Sequence, residues 1–157
     1  MSRGKEMSGG RRASGFTLIE LLVVVAIVGI ITAIAIPNLL NALDRGKQKR
    51  TMADLRAVSQ QVEIYAVDNS YFPTAGDIAT LRAILEPLYA KALPDKDGWN
   101  NEIIANTQAQ GYTVASQGKD GSGGIVACSG SPRCTDLNDA IIFINGQFAQ
   151  WPEGQQR

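Results

Sequence analysis

One carboxylate stands where a carboxylate is costly. Glu20 is the only charged residue in the apolar run Phe16–Ile36, FTLIELLVVVAIVGIITAIAI, which is 21 residues long. An ionisable group inside a membrane-length helix is a functional residue by default, and it needs a partner. Lying four residues into the run, Glu20 could simply reach the headgroups. It could also serve as a counter-ion. If the chain is cut before Phe16, the new α-amino group is positive and sits at the membrane boundary, where the two charges can stabilise each other on neighbouring subunits.

The rest of the chemical inventory is sparse. The chain of 157 residues has no histidine, so Ser-His and Cys-His catalytic arrangements and the commonest metal ligand are excluded. The two cysteines, Cys128 and Cys134, are not spaced as CxxC and cannot make a four-ligand zinc site by themselves. Lys plus Arg is 15 and Asp plus Glu is 15, which argues against a nucleic-acid binder working by bulk charge. A membrane-anchored enzyme lacks any nucleophile–base spacing to work with.

These residues must be positioned by a long helix. A run of 21 residues spans roughly 32 Å, close to the hydrocarbon thickness of a bilayer. A secretory signal peptide cut after Ala33-Ile34-Ala35 is the bland alternative, weakened by the length of the run and by Glu20. Ahead of the run, Arg3, Lys5, Arg11 and Arg12 against Glu6 give a +3 leader with no sign of a fold. Arg45, Lys47, Lys49 and Arg50 form a second basic cluster, either a solvated or lipid-facing surface or a source of intersubunit salt bridges.

Beyond Pro37, which should kink or melt the helix, Met52, Leu55, Val58, Val62 and Tyr65 recur at helical spacing, so an amphipathic helix extends to about Asn69. Gly46 is a second weak point. Asp77 can cap a second helix with Ile78, Leu81, Ile84, Leu85 and Leu88 on one side, and Pro87 should end or distort it. Short strands are predicted over 102–106, 112–116, 124–127, 140–144 and 147–151, the last two joined by the hairpin signal Asn145-Gly146. The result is an α+β fold: a long N-terminal helix packed on a small antiparallel sheet.

The string Gly15-Phe16-Thr17-Leu18-Ile19-Glu20 resembles the prepilin peptidase site of type IV pilins and type II secretion pseudopilins. The resemblance implies a pilin-like fold and three segments: a leader over 1–15, a transmembrane half-helix over 16–37 and a head over 38–157. It also implies cleavage between Gly15 and Phe16 by a prepilin peptidase that methylates Phe16. Glu20, at the fifth mature position, would pair with the Phe16 amine of an adjacent subunit, and Pro37 falls where the family carries a proline in the helix. The C-terminal half, through DNSYFP, LPDKDGW and SQGKDG, is similar to the major pseudopilin branch. It departs in Gly98, where that branch usually has proline after the aspartate, and in its cysteines.

That branch binds calcium. Asp120 and Asp139 stand nearest its ligands, with Asp136 a possible third, and carboxylates with loop carbonyls suit a hard cation. The bland reading makes them turn and cap residues. Asp95-x-Asp97-Gly98 has Asn106 at its twelfth position and is discarded as a calcium loop. In the oxidising compartment that the resemblance implies, Cys128 and Cys134 should form a disulfide. The expected protein is a filament subunit in the inner membrane with a periplasmic head. It would polymerise with itself, using an assembly platform and minor pseudopilins, to drive protein export; a surface type IV pilin is the alternative.

Overall fold

The computed structural model describes residues 15–122, 133–134 and 136–152. Cys128 and the expected strand over 124–127 lie outside the described residues, and with them the disulfide expectation. Two compact units divide after Leu39.

Helix α1 runs Leu18–Asn69. In the first unit none of its apolar side chains is buried, and this is the only helix among the described residues long and apolar enough to cross a membrane. Pro37 lies inside α1, and the local melting expected there does not occur. A proline removes one backbone bond, and here the turns on either side remain helical. Gly46 does not interrupt the helix either. Ser70 ends it with φ at 65°, its N–H donating to the Ala66 carbonyl at 2.8 Å.

The second unit contains the core. Leu55, Val58 and Val62 bury the predicted face of α1, with Met52 and Tyr65 packed partly buried against it. Helix α2, Ile78–Leu85, begins at Asp77, whose Oδ1 accepts the Thr80 N–H at 2.6 Å. It buries Ile78, Leu81 and Leu85. Leu88 does not continue that face and is 80% exposed. The reason is local: Glu86 precedes Pro87, and the residue before a proline is pushed out of helical geometry. Glu86 is accordingly extended and the helix stops at Leu85.

The sheet comprises β1 (Ile104–Gln108), β2 (Gly111–Ser116), β3 (Arg133–Cys134), β4 (Ile141–Ile144) and β5 (Gln147–Pro152), in spatial order β1-β2-β4-β5-β3. β1, β2, β4 and β5 pair antiparallel. β3, which the sequence reading did not anticipate, pairs parallel with the end of β5. Asn145 and Gly146, at φ 44° and 87°, make the predicted tight turn. Val114, Ile141 and Phe143 close the core from the sheet side. Phe143 and Phe148 meet edge to face at 4.7 Å.

Candidate functional site

The N-terminal site is built by the first turn of α1. The Thr17 N–H and its hydroxyl both donate to Glu20 Oε2 at 2.8 Å, and the Glu20 N–H returns to Thr17 Oγ1 at 3.3 Å. This is a reciprocal capping box, in which each side chain satisfies the other's free backbone donor. Its sequence signal, T-x-x-E, stood in plain view. Beside the headgroup and intersubunit partners that the sequence suggests, Glu20 has one on its own chain.

The local bonds do not exclude the intersubunit pairing expected from the sequence. Both Thr17 bonds go to Oε2, and the carboxylate is turned back toward the chain start, which is also the positive end of the helix dipole. Phe16 is 88% exposed, and nothing lies within 4 Å of a Cβ built on Gly15.

In the head, the turn bearing Asp120 is tied to the turn bearing Asp136 and Asp139. The Lys119 N–H donates to the Leu137 carbonyl at 3.0 Å. Asp120 accepts the Ser122 N–H at 3.1 Å and its hydroxyl at 2.8 Å. These bonds, led by the hydroxyl, hold the Asp120 carboxyl below the usual carboxylate range. Asp136 accepts the Asn138 N–H at 3.0 Å. Both side chains thus perform the turn-forming work that aspartate favours. Among the described residues no three acidic or cysteine side chains converge into a metal-binding group.

The discarded DxDG segment has a structural use. Asp97 is buried, its Oδ1 accepting the Trp99 and Asn101 N–H groups at 2.9 and 2.8 Å and its Oδ2 the Ser116 hydroxyl at 2.6 Å. Gly98 then lies against α1, where its N–H donates to Thr51 Oγ1 at 2.9 Å. A Cβ on Gly98 would stand 2.3 Å from the Lys47 carbonyl oxygen. That close approach accounts for glycine at this position. Within the basic cluster, Arg50 pairs with Asp54 at 3.6 Å across one helical turn. Asp44 binds Lys119 at 2.7 Å, and that bond holds the Asp44 carboxyl below its ordinary range.

A bare apolar half-helix headed by this capped glutamate, joined to a small α+β head, defines a pilin-type subunit. Residues 10–36 match the family model of the prokaryotic N-terminal methylation motif, and residues 38–128 match that of type II secretion system protein G. The chain belongs to the type II secretion system protein G family. It is 32% identical over 127 residues to the type II secretion system core protein G of Aeromonas hydrophila, covering 73% of this chain and 88% of that one. With the core protein G of Vibrio cholerae serotype O1 it shares 32% identity over 142 residues, 81% of this chain and 97% of the relative. The Escherichia coli K12 core protein G is 30% identical over 125 residues, 70% of this chain and 84% of the relative. No solved structure matches the chain.

Proposed function

We propose that this chain is the structural subunit of a type II secretion pseudopilus. A prepilin peptidase cuts the precursor between Gly15 and Phe16 and methylates Phe16. The apolar half of α1 holds the product in the inner membrane with its head in the periplasm, and copies polymerise through that half on the secretion platform with minor pseudopilins. What supports this most is the N-terminal geometry: an exposed Gly15–Phe16 junction, a pre-oriented Glu20 and an uncovered apolar half-helix behind them. Intact-protein mass spectrometry of the membrane form tests it. The expected mass is that of a chain beginning at methylated Phe16. A chain beginning at Ile36 would establish a cleaved signal peptide instead and end the filament reading.

Calcium remains a second part of the reading. The donors would be Asp120, Asp136 and Asp139 with loop carbonyls, and the support is the Lys119–Leu137 backbone bond that holds the two turns side by side. The head should melt at higher temperature with added calcium, through mass action on the folded state. Asp120→Ala should remove the shift, and a wild-type head insensitive to calcium would leave these aspartates as turn residues.

A further inference from the structure

One face of α1 stays open along the head. Ala53, Gln60 and Val67 follow at intervals of seven residues, as do Ala57 and Ile64, so they lie along one side of the helix. The lower and upper parts of this side differ in shape. Below, the alanines leave a groove of about 580 Å³ between α1 and β5, floored by Met52 and walled by Phe148 and Trp151. Above, Ile64 and Val67 project, 48% and 82% exposed, on a stretch of α1, from Arg45 onward, whose other exposed positions are polar or small.

The charges differ in the same way. Lys49 and Arg56 stand at the groove, and the Arg56 guanidinium lies 5.8 Å from the centre of the Phe148 ring. The upper end carries the exposed Asp68 and has no basic residue in the last helical turn.

We propose that the groove of one copy receives the Ile64–Val67 face of a second copy, with Asp68 meeting the Lys49–Arg56 rim. Small residues face large ones, and basic residues face an acid. The two surfaces are unlike each other, so the contact is head-to-tail; such a contact does not close a two-fold dimer, and where the rotation between copies does not close a ring it propagates into a filament. The inference rests on the filament reading and adds to it a specific contact between heads.

A photoreactive benzoylphenylalanine in place of Val67, in the full chain expressed with a type II secretion assembly system, tests the contact on sheared filaments. The expected adduct joins position 67 to a peptide of another copy containing residues 49–60 or 148–151. Filaments that form but crosslink elsewhere, to residues 153–157 of the same chain or to another protein overturn the contact while leaving the filament reading intact. A wild-type chain that forms no filament overturns both.

A charge exchange gives the second arm. Arg56→Glu should empty the sheared fraction while the membrane pool persists and the head melts as wild type. Adding Asp68→Lys to the same chain should restore filaments. Failure to restore them, with both heads folded, contradicts the proposed pairing.

Discussion

The Tyr112 hydroxyl donates to Glu63 Oε1 at 2.5 Å and accepts the Gly146 N–H at 2.9 Å. One buried oxygen thereby joins α1, β2 and the β4–β5 turn. Burial first, and then the Glu63 carboxylate, push the Tyr112 phenol well above its ordinary range. Tyr112→Phe leaves Glu63 and Gly146 without this partner and should cost the head about 1–3 kcal/mol. Because the folded state favours the protonated phenol, its contribution is complete below pH about 10, where a free tyrosine titrates, and is lost as pH rises further. Thermal melts of wild type and Tyr112→Phe at neutral and alkaline pH should therefore converge; a gap that stays constant would remove the tyrosine from the account.

Gly98→Ala should destabilise the head by about 1–3 kcal/mol, because its Cβ collides with the backbone carbonyl of Lys47 rather than with a side chain that can turn away. Urea denaturation measures this. A neutral substitution would mean that the Asp97–Asn101 turn can lift off α1 without loss.

Asp44→Asn tests the attachment of the Asp120 turn to the helix. The Lys119 bond lowers the Asp44 pKa in the folded head, so its stabilisation is present above the ordinary aspartate value of about 3.9 and lost as pH falls below it. The pair is half open to water on the lysine side, so at neutral pH the loss should be about 1 kcal/mol at most, shrinking in high salt. Melting temperature followed from neutral pH to pH 3 should show the variant and wild type merging in acid.

Much of this architecture could be read before the structure, for identifiable reasons. The Leu55, Val58 and Val62 face of α1, the Asp77 cap and the Asn145-Gly146 turn are local patterns, in which the residue type and its near neighbours carry the physics. The Asp97–Ser116 and Glu63–Tyr112 bonds are different, because the partners lie 19 and 49 residues apart and no short pattern signals such a pairing. Leu88 kept helical spacing, but the sterics of Pro87 on Glu86 outweighed it. Ile64 and Val67 did not fit the polar side of the stripe, and only their exposure shows that they face outward. Strand β3 is two residues long, too short for any alternation to register. At Glu20 two signals overlap: a charge in an apolar run implies a distant partner, while T-x-x-E also places a local one, Thr17, three residues before it.

The capping box also makes the assembly role of Glu20 separable from its local one. Glu20→Gln removes the charge but keeps an oxygen that can accept from Thr17, whereas Thr17→Ala breaks the box and keeps the charge. The decisive measurement is the amount of Glu20→Gln chain in the sheared filament fraction relative to the membrane pool, beside wild type and Thr17→Ala, with the secretion machinery present. Losing one partner of a buried charge pair costs about 3–5 kcal/mol, and every subunit of a filament repeats that loss. Glu20→Gln should therefore be cleaved and accumulate in the membrane without filaments, while Thr17→Ala still assembles. Wild-type filament levels from Glu20→Gln would contradict the intersubunit pairing.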